Sequence, residues 1–473
     1  MKLLLYCTLI LAWGYCCVAQ EPSHTKNEED GVLVVNDIII FGNKKTKNHI
    51  ITRELDFQQG DTLQLQDTSA VLKHSKNKIF NTGLFNKVNI KTVDTGEDGT
   101  IVTIHVAERW YIFPIPVLDV GDRNFNEWWQ QRGRGLERLE YGIHFKHKNF
   151  RGRNEKLEMK VLAGFTNKYE LFYTIPYIDE NQKSGVKMDV SYSTNRFAAA
   201  RTKDHQLDFY TGDRPLKKRF FTGLNYLYRN DFYVTHRFGL YMHANEVADT
   251  IALVNPDYFL DGRTSQRYFK FVYHLEDDHT DIQFYPMEGY RASLHFEKEG
   301  FGILGDLNMW ELEGSIAFYD KWNHGLSWAT RLSARTSYPV RQPYFNVQGE
   351  SLGYEENLVR GYELYVIDGQ HYVLNRTEMR WKLFEIENFE NKLMPIQQFR
   401  NIPLAVFLKA HNDVGYVVDQ SDNPLNQHLS NELMWGYGLG IDFTTYYDVV
   451  VRAEVSVNRL NEIGFFLHMD AGI

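Results

Sequence analysis

From Trp110 to Ile473 apolar and polar residues alternate in segments of roughly ten residues, separated by polar turns. Tyr141, Ile143 and Phe145 alternate with Gly142, His144 and Lys146, and Ala292, Leu294 and Phe296 with Ser293, His295 and Glu297. Near the C-terminus Val449, Val451, Ala453, Val455 and Val457 interleave with Arg452, Glu454, Ser456 and Asn458. A period of two marks a strand with one apolar and one polar face. In a soluble sandwich the polar face meets bulk water, and successive strands differ in burial. Here the two-faced pattern persists segment after segment, the signature of a transmembrane barrel with a wet lumen and a lipid-facing exterior. The segments count to about 16 antiparallel strands, an even number inside the usual range for such barrels. Asp204 to Gly212 reads either as an extra strand or as a loop extension. A large soluble β-protein, such as a propeller or a double sandwich, is the competing reading.

Between Gly31 and Glu108 the pattern is different and reads β-α-α-β-β. Val34 to Phe41 is a strand closed by the turn pair Gly42-Asn43. Thr46 can cap a helix carrying Ile50, Ile51 and Leu55 on one side, and Gly60-Asp61 breaks the chain. A second helix from about Asp67 aligns Val71, Leu72, Ser75 and Ile79, with Gly83 suited to its stop. Val88, Ile90 and Thr92 then alternate, as do Val102, Ile104 and Val106. The predicted organisation is therefore a small mixed domain over 31–108 and a barrel over 110–473.

Residues 1–19 combine Lys2, the apolar stretch Leu3 to Val18 and small residues before Gln20, which reads as a cleavable secretory signal. A polar leader follows over 20–30. A membrane anchor and a lipoprotein are the alternatives, but the run is short and no small residue directly precedes Cys16 or Cys17. Cys7, Cys16 and Cys17 all lie within that signal, so a processed chain has no disulfide, thiolate nucleophile or cysteine metal site. A formal charge of −9 argues against a nucleic-acid binder, which normally shows a basic face. No H-E-x-x-H zinc helix or Walker loop occurs, and the 17 histidines are scattered, so no catalytic residue, metal or cofactor is predicted and an enzyme is disfavoured.

The strongest local signal is Val359-Arg360-Gly361-Tyr362, in a connection from about Pro339 to Gln370 that is too long for a plain hairpin. A loop of that length can fold back into a lumen, where Gly361 permits a tight turn and Arg360 reaches carboxylates on the inner wall. Glu378 in the next strand and Asp413 in the one after are the candidates. A solvated loop arginine is the plain alternative.

These features together resemble the BamA/TamA superfamily of outer-membrane assembly factors and two-partner secretion transporters. The mixed domain is similar to that family's polypeptide-transport-associated (POTRA) repeat, through Gly42-Asn43, Gly60-Asp61, the Thr82-Gly83-Leu84-Phe85 stretch and Val106-Ala107-Glu108. Asn149-Phe150-Arg151-Gly152-Arg153 resembles its first-loop segment, and Val359 to Tyr362 its loop-six motif. Members devoted to general barrel assembly usually carry several repeats and end in Phe or Trp; this chain has one repeat and ends Ala471-Gly472-Ile473. The resemblance implies a bacterial outer-membrane barrel with a periplasmic POTRA domain and an Arg360 latch on Glu378 and Asp413. It also implies a weak lateral seam between the first strand (Ile112, Pro114, Val117) and the last (Phe465, Leu467, Met469). Its implied partners are unfolded client proteins, the lipid bilayer, and periplasmic chaperones or accessory lipoproteins. Insertion of clients through the seam is the expected function, with a secretion channel for one passenger, or a passive pore, as the alternative.

Overall fold

The computed structural model describes residues 32–469, apart from 95, 97–98, 180, 231–232, 305–306, 355–356, 391–400, 422–424, 427 and 446–448. The signal and the leader lie outside the described residues.

In the N-terminal part β1 (Val32–Phe41) is followed by α1 (Asn48–Thr52), β2 (Thr62–Gln64), α2 (Leu65–Asn81), β3 (Phe85–Asp94) and β4 (Thr100–Glu108). The sheet order is β2-β1-β4-β3, with β1 parallel to β4. The three-residue β2 is an element the sequence pattern did not reveal, because a strand that short carries no period. Ser75 and Ile79 of α2 are buried, and Val71 and Leu72 pack against a core of Val35, Ile50, Ile51, Phe85, Val88 and Ile104. Thr46 is not a cap: the position before α1 is Lys47, without a side-chain cap, and the Thr46 hydroxyl donates to Glu108 Oε1 at 2.7 Å. The expected turns are present. Gly42 has φ +94°, and a Cβ there would lie 1.9 Å from the Val106 carbonyl oxygen. Asn43 Nδ2 donates to the Thr46 carbonyl, Asp61 accepts from the Gln58 N–H, and Gly60 and Gly83 are left-handed.

The remaining chain builds one 16-stranded sheet of consecutive antiparallel neighbours. It begins with β5 (Ile112–Val120), β6 (Leu139–Phe150), β7 (Glu155–Gly164), β8 (Thr166–Ile175) and β9 (Ser184–Asn195). A two-stranded hairpin, β10 (Phe197–Lys203) and β11 (Gln206–Thr211), interrupts the series without joining it, so 204–212 belongs to a loop extension. The sheet resumes with β12 (Lys217–Arg229), β13 (Val234–Val247), β14 (Ser265–Asp278), β15 (Gly289–Glu299), β16 (Met309–Lys321) and β17 (Leu326–Tyr338). It closes with β18 (His371–Glu390), β19 (Asn401–Val418), β20 (Leu433–Thr445), β21 (Val450–Asn458) and β22 (Ile463–Met469). Short helices occur in three connections: α3 (Phe125–Gln130), α4 (Asp249–Val254) and α5 (Tyr344–Val347).

Burial in this sheet is inside-out relative to a soluble fold. Tyr141 and Ile143 are each 57% exposed, while Lys409, Asp413, Asp442, Arg452 and Glu454 are buried. Apolar side chains outward and charged side chains inward is the arrangement a lipid exterior demands. The alternation noted in the sequence thus maps onto lipid-facing and lumen-facing positions.

The β6–β7 turn, 149–154, docks on the N-terminal sheet domain: Lys47 N–H donates to the Gly152 carbonyl at 3.0 Å, and Asn149 Nδ2 to Thr46 Oγ1 at 2.9 Å. Arg229, at the end of β12, pairs with Glu54 at 3.0 Å. These contacts identify the barrel end that faces the small domain, and the 121–138 and 339–370 connections lie at the opposite end.

Candidate functional site

The site is built where the 339–370 connection folds back onto the inner wall formed by β18 to β21. Val359 and Tyr362 are fully buried in an apolar cluster with Leu352, Ile367, Leu374 and Met434. They anchor the turn on both sides of Arg360. Gly361 between them has φ +95°, a conformation L side chains rarely adopt. Across from it Gly436 of β20 makes the approach possible, since a Cβ there would lie 1.8 Å from the Arg360 carbonyl oxygen.

Arg360 is 0% exposed. Its Nε and Nη2 donate to the two oxygens of Asp413 at 2.8 and 2.5 Å, and its backbone N–H donates to Asp413 Oδ2 at 3.0 Å. Its Nη1 donates to Glu378 Oε2 at 2.6 Å. The structure thus brings the arginine together with both candidate carboxylates. The planar guanidinium suits this fork, because it meets Asp413 in two parallel bonds and still reaches a second acid.

Sequence reasoning missed the rest of the network. Glu454 of β21 lies 3.5 Å from Arg360, Lys409 of β19 pairs with Glu454 at 2.8 Å and Asp442 at 3.1 Å, and Arg380 of β18 pairs with Glu378 at 2.5 Å. The signal that could have found them is the period-two charge pattern: Arg376, Glu378 and Arg380 share one face of β18, and Lys409 and Asp413 one face of β19. Every one of these charges has an opposite charge beside it, which is what makes their burial tolerable.

The same connection bridges the two ends of the sheet. On the β5 side, Arg123 donates to the carbonyls of Gly353, Tyr365 (2.6 Å) and Glu363 (2.7 Å), and Asn124 Nδ2 donates to the Glu363 carbonyl at 2.8 Å. On the β22 side, the Tyr365 hydroxyl donates to Glu462 at 2.8 Å, and Asn458 Nδ2 to the Gly361 carbonyl at 2.9 Å. Residues 361–365 therefore tie the segment after β5 to the segment before β22. Between those two strands no ladder pair occurs among the described residues. Ile112 and Pro114 fall on the lipid-facing side of β5, because Pro114 and Pro116 oppose Phe145 and the exposed Ile143. Val117 has the other parity and faces the lumen, so it does not share a face with the other two. Phe465 and Leu467 face lipid, and Met469 pairs with Val451.

The opposite mouth is filled by the connection between β14 and β15. Tyr285 donates to Asp442 Oδ2 at 3.1 Å, Arg380 stacks 4.3 Å over its ring, and Arg380 Nη1 donates to the Pro286 carbonyl at 2.7 Å. Beside this mouth a cavity of about 820 Å³ opens between α2 and the barrel, lined by Lys73, His74, Lys78, Tyr177, Arg229 and Tyr233.

Comparison with known families settles what this architecture is. The Omp85 superfamily domain matches residues 149–445, and the POTRA model, described as a surface antigen variable number repeat, matches residues 33–109. The chain belongs to the Omp85 superfamily. This Omp85 chain lies in the outer membrane with its single POTRA domain on the periplasmic side, and its family consists of protein insertion or secretion machinery. The small domain accordingly marks the periplasmic end of the barrel, and 339–370 is the sixth extracellular connection, loop six. BamA from Haemophilus ducreyi lacking POTRA domains 1–3 shares the fold, with TM-score 0.52 and 14% identity over 93% of this chain and 85% of that one. CdiB from Escherichia coli gives TM-score 0.50 and 14% identity over 95% and 91%. No curated protein matches.

Proposed function

We propose that this Omp85 chain is an outer-membrane protein assembly factor that receives unfolded clients in the periplasm and releases them into the bilayer between β5 and β22. The observation that carries the reading is a lumen occupied from both ends, by loop six and by the Tyr285 connection, beside a sheet whose two ends are unpaired among the described residues. Unpaired backbone groups in hydrocarbon cost several kcal/mol each, so a client strand that pairs with them is drawn into the gap. The exposed edge of β3 in the POTRA sheet offers a first pairing site by β-augmentation. Loop six, held by Arg360 and tied to both seam strands, serves as the latch on the closed geometry. Client folding supplies the driving force; the reading calls for no cofactor and no catalytic residue. Periplasmic chaperones or accessory lipoproteins deliver the clients.

Depletion of the protein followed by a survey of outer-membrane proteins tests this. Loss of several unrelated barrels is the expected result. Loss of one secreted passenger alone would make the chain a secretion channel, and an unchanged survey with large steady conductance in planar bilayers would make it a pore.

A further inference from the structure

The two edges that flank the seam are chemically unequal. In an antiparallel ladder each residue turns both backbone groups to the same neighbour, and successive residues alternate. The phase at β5 is fixed by two bonds beyond its ends: Lys148 N–H donates to the Tyr111 carbonyl at 2.8 Å, and Gly121 N–H to the Arg138 carbonyl at 2.6 Å. Odd residues of β5 therefore serve β6, and 112, 114, 116, 118 and 120 turn toward the seam. Two of these are Pro114 and Pro116, which have no N–H. The Val120 N–H is given to Asp119 Oδ1 at 2.8 Å, and the Ile112 carbonyl accepts the Trp110 indole N–H. Between the Ile112 and Leu118 N–H groups this edge has no donor.

On the other side, Asn458 N–H donates to the Glu462 carbonyl at 3.1 Å, so even residues of β22 serve β21. Ile463, Phe465, Leu467 and Met469 turn their N–H and C=O groups to the seam, and none is proline. On the same strand the side chains of Phe465 and Leu467 are 55% and 46% exposed, on the lipid face.

We infer that β22 is the strand on which a client is templated and that β5 is a non-templating flank, kept from zipping onto β22 by Pro114 and Pro116. The occupant is an unfolded transmembrane β-strand of alternating apolar and polar residues, whose apolar side chains line up with Phe465 and Leu467 on the lipid face. Proline is tolerated in a sheet only where its missing N–H faces an open edge, and it discourages edge-to-edge pairing there. The inference rests on the insertion reading above and assigns it a polarity.

The test uses the full chain, processed free of cysteine, in phosphatidylethanolamine–phosphatidylglycerol vesicles. The probe is a small urea-unfolded transmembrane barrel protein carrying one cysteine in its terminal strand. Single cysteines at Phe465 or Leu467 are compared with single cysteines at Ile112 or Leu118. Disulfide capture of the probe at Phe465 and Leu467 and not at Ile112 or Leu118 is expected. Capture at Ile112 or Leu118 would overturn the polarity and leave insertion standing; capture at none of the four would overturn both. In a second arm, P114V/P116V restores two donors, and the two hydrogen bonds shift the seam roughly tenfold toward closure. Capture at Phe465 should fall accordingly, whereas undiminished capture would show that the prolines do not set the seam.

Discussion

Arg360 is the residue on which the loop-six geometry depends. It contacts Asp413, Glu378 and Glu454, on three different strands. Removing one partner of a buried pair costs about 3–5 kcal/mol in a dry site. The lower end applies to Arg360→Ala, because Glu378 keeps Arg380 and Lys409 and Asp413 keeps Arg376, at 3.7 Å. Arg360→Ala should give a barrel that unfolds at lower temperature on semi-native gels, and Arg360→Lys should recover only part of the loss. The motif around Arg360 and its two acceptors was legible in the sequence, since Val359, Gly361 and Tyr362 accompany it and Glu378 and Asp413 fall in the following strands. Glu454 and Lys409 were not, because only the closing of β19 to β21 around loop six gives them a shared centre.

A second residue on loop six gives a pH signature. Burial, with the nearby Glu454 carboxylate adding to it, pushes Glu363 up to about 8. Its Oε2 accepts the Gly361 N–H at 2.8 Å, and His468 lies 3.9 Å from Oε1. A carboxyl raised above its unfolded value of about 4.3 favours the seated loop when protonated. That contribution is complete below the unfolded value and is lost as pH rises through about 8. The melting temperature should fall between about pH 4 and about pH 8, and Glu363→Gln should flatten that slope, which isolates this group from others that titrate. An identical slope in the variant would contradict the assignment.

At the scale of elements, period-two alternation is sufficient to count strands because each barrel strand meets two different solvents along its whole length. The elements it left open or did not reveal are those whose shape is set by distant partners. The β10–β11 hairpin leaves the sheet and packs on loop six, where the His205 carbonyl accepts the Val366 N–H at 2.8 Å. The Tyr285 connection turns inward because Arg380 and Asp442 wait for it across the lumen, a fact no local window contains. The connection after β5 is likewise shaped by loop six, through Arg123. Arg123→Ala should release the extracellular end of β5 while leaving the Arg360 pairs in place. Cysteines placed at the outer ends of β5 and β22 should then crosslink less readily, with gel heat-stability close to the parent. A fall in heat-stability as large as that of Arg360→Ala would mean that Arg123 supports the whole barrel rather than its seam.

For the whole molecule, the account joins a filled lumen, an unpaired pair of edge strands and a loop that ties those edges together at the extracellular side. A protein passing through the lumen would have to displace both the loop-six ion network and the Tyr285 connection, and a protein passing sideways would not. The measurement that separates these routes is a reversible seam lock. Cysteines introduced between Ile112 and Asp119 of β5 and between Phe465 and Met469 of β22 are oxidised in a small grid of pairs, in a chain from which Cys7, Cys16 and Cys17 have been removed or replaced. Strand neighbours at about 4.5–5.5 Å between Cα atoms fall within the roughly 4.4–6.8 Å that a disulfide spans. The account predicts that the locked protein stops inserting clients and resumes on reduction. Full client insertion with the seam locked would contradict it.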